Sequence, residues 1–232
     1  MKRSPIKLGL IGGAGPYASA LAYRYFLDAC YGNGHEVPEL VLLNFPFTRG
    51  LSLAESAQNE KIIRAELQHC IDTLAKVGVE VAGIACNTLH LFLAGLNLQG
   101  IRFIYLPHAV LGTAARLGCK QLLILGTPTA ISRGLYAYPG IKLIAPSPEE
   151  QEIVLHTIDN ILRGKILPSD SDALCAVIVK AHQRTPVDGV ILGCTELPVL
   201  HQTHPLLCKG VDVYDSIQIL SYQLFNQFKE TL

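Results

Sequence analysis

The sequence predicts an α/β protein built from two similar halves, each a parallel sheet covered by helices. Three observations lead there. Short apolar runs alternate with longer amphipathic ones along the chain, and strands that alternate with helices imply crossover connections. The strand runs are apolar almost throughout, as in sheets buried on both faces. The alternation also repeats itself. "LGLIGGAGP" at 8–16 is echoed by "LLILGTPTA" at 122–130, and "VEVAGIACNTLH" at 79–90 by "PVDGVILGCTELP" at 186–198.

Taken in order, the first half has strands at Lys7–Ile11, Leu40–Asn44, Val79–Ala85 and Phe103–Tyr105. Helices are expected between them at Pro16–Cys30 and Ala57–Val77. Pro16 suits the first turn of a helix. The second helix places Ile63, Leu67, Cys70, Ile71, Leu74 and Val77 on one face. The second half has strands at Gln121–Leu125, Lys142–Ile144, Gly189–Leu192 and near Val211–Val213, with helices at Glu149–Arg163 and Asp172–Gln183. These boundaries assign residues 1–108 to one half and 109–212 to the other. A last helix at Asp215–Phe228, with Asp215 as its cap, returns from segment 213–232 to the first half.

Composition narrows the functional classes. The chain has 232 residues, half of them hydrophobic and only 16% charged, so bulk disorder is excluded. Its net charge is zero, which leaves no electrostatic footprint for nucleic acid or an anionic membrane. The opening "MKRSPIKLGLIGG" has too short an apolar stretch for a signal peptide, so a cytoplasmic location is expected. Val81–Ile101 is long enough to span a bilayer, but its glycines and polar residues fit a strand, a turn and a helix better. Seven cysteines, an odd number without C-x-x-C spacing, argue against a disulfide framework or a zinc cluster. Pairs such as Cys86 with His90, or His201 with His204, are too few to hold a metal. "GAGPYA" at 13–18 meets only the loose form of a dinucleotide fingerprint. The second strand ends at Asn44 rather than at an acid, so no nucleotide cofactor is expected.

Cys86 and Cys194 stand apart from the other thiols. Each ends an apolar strand, and each is followed by small polar residues able to cap a helix, Asn87 and Thr88 in one case and Thr195 in the other. Ligands of open α/β sheets bind beyond the carboxyl ends of the strands. If a pseudo-twofold relates the halves, the two thiols face one cleft from opposite sides. A thiol at a helix N-terminus is favoured as thiolate. Two such groups flanking one carbon form a two-base system that removes a proton from one face and delivers one to the other. Gly12, Gly13 and Gly15 let the backbone approach a ligand closely. Glu196 is either a first-turn acid favoured by the helix dipole or an orienting partner for Thr195 or His90.

"LGLIGGAGP", "ACNTLH" and "GCTELP", in this order over this length, resemble the aspartate/glutamate racemase family, and the aspartate racemases most closely. Glutamate racemases usually open with an Asp-Ser-Gly-type loop where this chain has Gly12-Gly13-Ala14-Gly15. They usually carry His where it has Glu196. The resemblance implies Rossmann-like α/β halves around a shared active site, no cofactor and no metal, and a homodimer. It implies a dicarboxylic amino-acid substrate, aspartate first and glutamate second. It makes Cys86 and Cys194 the catalytic bases, and Asn87, Thr88 and Thr195 contacts of the α-carboxylate. It assigns Arg49, in "LLNFPFTRG", to the side-chain carboxylate, and Thr127 and Thr129 to the substrate pocket. The family often has Lys where this chain has Arg163, with Lys165 just beyond, so the second basic contact is open between them. Within the same superfamily, a maleate-type cis–trans isomerase or a malonate decarboxylase would need only one of the two cysteines. A non-enzymatic amino-acid sensor would need neither.

Overall fold

The computed structural model describes residues 6–47, 57–208 and 210–231. By its contacts the chain divides into two compact units, Met1–Leu106 with Ile217–Leu232, and Pro107–Ser216. Each unit holds a four-stranded, wholly parallel sheet.

In the first unit the elements run β1 (Leu8–Gly12), α1 (Pro16–Gly32), β2 (Leu40–Asn44), α2 (Ala57–Lys76), β3 (Val81–Ile84) and β4 (Arg102–Phe103). The strand order is β2-β1-β3-β4. Every residue of β1 and β3 is buried, whereas β2 at the edge is not. This is the pattern of central strands covered on both faces. Ile63, Leu67, Cys70, Ile71 and Leu74 of α2 form one core cluster with Ile11, Ala82 and Ile84 of the sheet. Cys70 is a packing thiol, its pKa pushed up to about 12 by burial and then by Glu66. Between β3 and β4, Val81–Ile101 forms a strand, a short 3₁₀ turn and a loop. No helix among the described residues is long and apolar enough to cross a membrane.

The second unit runs α3 (Leu106–Arg116), β5 (Gln121–Leu125), α4 (Pro128–Ser132), β6 (Lys142–Ile144), α5 (Pro148–Leu162), α6 (Pro168–Arg184), β7 (Gly189–Leu192), α7 (Glu196–Thr203) and β8 (Asp212–Asp215). Its strand order, β6-β5-β7-β8, repeats that of the first sheet position for position. Asp188 accepts hydrogen bonds from the backbone N–H groups of Lys120 (2.7 Å) and Gln121 (2.8 Å) and so joins the starts of β5 and β7. Those two bonds hold its carboxyl below the usual range. Ser147 and Glu150 form a reciprocal capping box on α5, and Arg184 grips Glu150 with two 2.8 Å bonds.

The last helix, α8 (Ser216–Lys229), belongs to the first unit from Ile217 onward. Ser221 Oγ donates to Ala22 O of α1 at 2.8 Å, and Phe225 packs on the His35 ring. The return lies later than position 213, because β8 pairs with β7 over its whole length. The sequence pattern gives no range for α3 or α4, and for α7 only a helix start after Thr195. α4 and α7 are short, with five and eight residues, and all three have proline within their first three residues.

Candidate active site

In the first unit, β1 runs into Gly12 and Gly13, and α1 starts at Pro16. Gly13 has φ +103°, and a Cβ there would lie 2.1 Å from the Phe45 carbonyl oxygen. Only glycine fits both the torsion and the space. The turn is fixed by Ser19: Gly13 N–H donates to its Oγ (2.9 Å), which donates to Gly15 O (3.0 Å). Next to this loop, Ala85 N–H continues the β1–β3 ladder by donating to Ile11 O at 2.8 Å. Cys86 follows at once, buried beyond the end of β3.

The segment after Cys86 is a 3₁₀ turn, Thr88–Phe92, not an α-helix, and Asn87 makes no side-chain cap. The expected helix dipole and Asn87 cap are therefore not what position Cys86. Its turn is held by His90, which is buried. His90 Nδ1 faces the carbonyl oxygens of Cys86 (2.9 Å) and Asn87 (3.2 Å), so Nδ1 carries the proton. Nε2 accepts from Leu106 N–H at 3.2 Å, with Ile104 O the weaker neighbour at 3.3 Å. Both ring nitrogens are thus engaged by backbone of the first unit. From α2, Arg64 donates to Phe92 O (3.0 Å) and Ala94 O (2.7 Å), bracing the far end of the turn.

The second unit repeats the arrangement. Gly193 N–H donates to Leu125 O at 2.7 Å, as Ala85 does to Ile11, and Cys194 follows, partly buried. A Cβ on Gly193 would come within 2.4 Å of Ile124 Cδ1, and the Tyr136 hydroxyl donates to Gly193 O at 2.9 Å. Thr127 caps α4, its side chain accepting from Ala130 N–H at 3.3 Å, and Thr129 is buried in the first turn. Gln151 of α5 donates to Gly126 O (2.9 Å) and ties α5 to this loop. Thr195 precedes α7 but makes no side-chain cap; its hydroxyl instead reaches Glu196 Oε2 at 3.4 Å. The Cys194 thiol donates to the same carboxyl oxygen at 2.9 Å. Glu196 is buried, which pushes its carboxyl up, against the opposing hydrogen bonds from Cys194, its own backbone and Thr195.

Each unit therefore presents the same constellation: a glycine-containing loop after its first strand, and a cysteine two residues beyond its third. The profile of the Asp/Glu/hydantoin racemase family matches residues 11–224. The chain belongs to that family. It is a racemase-family enzyme whose two parallel-sheet halves match those of solved racemases. An aspartate racemase homologue from Pyrococcus horikoshii is similar over 99% of this chain and 100% of its own, with 24% identity and a TM-score of 0.76. Picrophilus torridus aspartate racemase is similar over 97% and 94%, again with 24% identity and a TM-score of 0.76. The glutamate racemase from Francisella tularensis, solved with D-glutamate, covers 97% of this chain and 81% of its own at 16% identity and a TM-score of 0.69. At these identities the likeness is one of fold. No curated protein matches the sequence.

Within this member of the racemase family the sequence candidates fall into three groups. Gly13, Cys86, Asn87 and Thr88 gather at the carboxyl ends of the first sheet, and Thr127, Thr129, Cys194, Thr195 and Glu196 at those of the second. Arg163 is not brought into the second cluster. It ends α5, exposed and paired with Asp159 at 2.7 Å, about 18 Å along the helix beyond Gln151 at about 1.5 Å per residue. Lys165 is exposed beyond it. Arg49 lies outside the described residues. Ser19, Arg64, Tyr136 and Gln151 were not found from sequence, because each acts on a backbone group far away in the chain or on a turn with no local signature. Among the described residues no group of three His, Cys, Asp or Glu is placed to hold a metal.

Proposed function

We propose that this enzyme is a cofactor-independent amino-acid racemase for aspartate, with glutamate the second candidate, in which Cys86 and Cys194 are the two bases. The observation that carries the reading is the repeated strand end: both thiols occupy the same place in sheets of the same topology. Duplication of one structural position is what a reaction needs when it must work on both faces of one carbon. Following the family's handedness, Cys194 takes the α-proton of the L-enantiomer while Cys86 donates to the opposite face. The roles exchange for the D-enantiomer. The α-proton is far less acidic than a thiol of pKa about 8.5, so the charge developing on the α-carboxylate has to be stabilised in place. The Gly13 loop, Asn87, Thr88 and Thr195 supply backbone N–H groups and polar side chains for that task. Thr127 and Thr129 line the same strand ends, and Arg49 takes the side-chain carboxylate. Thr127 already caps α4, so its contact with substrate is shared with a structural bond.

Incubating each enantiomer of aspartate and glutamate in heavy water tests the reading. Deuterium at the α-carbon accompanied by the opposite enantiomer supports it. Deuterium-free substrate would remove it, and fumarate produced from maleate would replace it by the isomerase.

The ionisation requirement gives a pH prediction. In either direction one cysteine has to be thiolate and the other thiol, and the macroscopic values belong to the coupled groups. The rate is expected to be bell-shaped in pH, with closely similar limbs from both enantiomers. A rate still rising in alkali, with the fold intact by circular dichroism, would point to a single thiolate.

Arg49→Ala separates substrate recognition from chemistry. Truncating one partner of a buried charge-assisted contact costs about 2–5 kcal/mol, so kcat/KM on aspartate should fall more than about tenfold. Alanine, which has no distal carboxylate, should lose little of whatever rate it shows. Equal losses on both would assign Arg49 to the loop instead.

A further inference from the structure

The two halves differ where the duplication would have them alike. After Cys86 the chain continues Asn87-Thr88; after Cys194 it continues Thr195-Glu196, so a carboxyl stands in the second half where the first has a hydroxyl. That carboxyl is not a surface acid. Glu196 is 6% exposed, and its Oε2 receives the Cys194 thiol at 2.9 Å and the Thr195 hydroxyl at 3.4 Å. We propose that Glu196 is the proton partner of Cys194: its carboxylate takes the thiol proton across their 2.9 Å contact to make the Cys194 base.

The inference deepens the two-thiol reading and rests on it. In the step, the Cys194 S–H bond breaks and an O–H bond forms on Glu196 Oε2. The pair carries one negative charge before and after. Cys194 thiolate then takes the α-proton of the L-substrate while the Cys86 thiol gives its own to the opposite face. The enzyme ends with both members of the pair protonated and the charge on Cys86, so protons balance and no further reactant enters. Moving one charge within a buried pair avoids desolvating a second one. Glu196 acts through Cys194 and is a positioning and relay residue.

Buried Asp215, at the end of β8 and paired in register with Leu192 of β7, is the ionisable group that the sheet places beside this strand end. α5 and α6 pack against α7, and their ionisable groups near it are committed elsewhere. Glu150 holds Arg184, Glu149 bonds Ser147, His156 and Asp170 bond Asn160, and Asp159 holds Arg163. Cys175 contacts Cys208, and His182 bonds Val187. Glu152, Asp172 and Lys180 are exposed. On α7 itself His201 accepts from Leu206 N–H, and the nearby Tyr136 hydroxyl is bonded to Gly193 O. No ion pair among the described residues neutralises Glu196. Burial raises its carboxyl above its ordinary value and so favours the protonated form on Oε2.

The test is the pH dependence of Cys194 alkylation by iodoacetamide in the full-length protein, read by peptide mass spectrometry, with Cys86 as internal reference. Glu196→Gln keeps an acceptor for the thiol but cannot hold its proton. A relay predicts that the Cys194 midpoint and the acid limb of L-aspartate turnover both move up by about one pH unit or more, roughly a tenfold loss near neutrality. Glu196→Asp, which keeps an acid, should move both back toward wild type, and it tests the same point should the Gln variant fold poorly. A carboxylate that only repels the thiolate predicts the opposite sign, because its removal eases ionisation. A midpoint that stays or falls in Glu196→Gln therefore overturns the relay while leaving two-thiol racemisation standing. Absence of α-deuteration by the wild-type enzyme would instead remove the racemase reading itself.

Discussion

Replacing Cys86 by Ser is expected to abolish racemisation of aspartate while leaving one half of the exchange chemistry alive. A serine hydroxyl is a far weaker acid than a thiol, so at neutral pH it supplies no anionic base. General acid–base groups contribute roughly 10²- to 10⁴-fold each, and conversion in either direction should fall by at least about 100-fold. The two directions are affected differently. From L-aspartate, Cys194 can still remove the α-proton and return deuterium to the same face, giving labelled L-aspartate without inversion. From D-aspartate no proton is removed at all. Cys194→Ser should give the mirror result, with residual exchange from the D-enantiomer only. Proton NMR in heavy water combined with chiral chromatography reads both quantities in one sample. Either variant racemising at the wild-type rate would rule out a two-base reaction.

Gly13→Ala should be the most damaging small substitution in the first unit. The residue sits at φ +103°, where an L side chain is strained, and its new Cβ would overlap the Phe45 carbonyl, a backbone group pinned by the Phe45 N–H to Gly12 O bond of 3.0 Å. Left-handed torsions cost an L-residue about 1–2 kcal/mol, and overpacking costs about 1–3 kcal/mol more. A total of about 3 kcal/mol is a large part of the roughly 5–15 kcal/mol that holds a domain together. At about 2–4 °C per kcal/mol for a chain of this size, the melting temperature should drop by roughly 6–12 °C. Gly32→Ala is the control. It lies at the end of α1 with open space around its Cβ and without a positive φ, and should be neutral or stabilising by up to about 1 kcal/mol. Matching losses in the two variants would mean that the Gly13 loop tolerates a side chain.

Much of the fold was legible because its central strands are continuous apolar runs and its longer helices carry apolar faces. Leu40–Asn44, Gln121–Leu125, Lys142–Ile144 and Gly189–Leu192 form strands with the boundaries expected of them. The others are displaced or trimmed by one to three residues, since strand ends depend on which neighbour they pair with. Val79, for example, bonds Leu74 O rather than the ladder. The extents of the short helices α4 and α7 were not legible. A helix of five or eight residues has too little length for a periodic stripe, and it is held by packing and by a cap such as Thr127 rather than by its own propensity.

The candidate site divides along the same line. Sequence by itself determined that two cysteines sit at equivalent strand ends, because strand runs, turn residues and their repetition are all local patterns. It could not determine what each thiol touches. That Glu196 turns back to Cys194 and Thr195, that His90 locks the Cys86 turn through its own backbone, and that Arg163 is engaged by Asp159 at the end of α5 were decided by the tertiary structure alone. Hydrogen bonds of this kind depend on rotamers and on burial, and burial of a carboxyl is set by elements such as α5 that lie dozens of residues away. A linear pattern names the groups that can react; only the packed chain fixes which proton each one can reach.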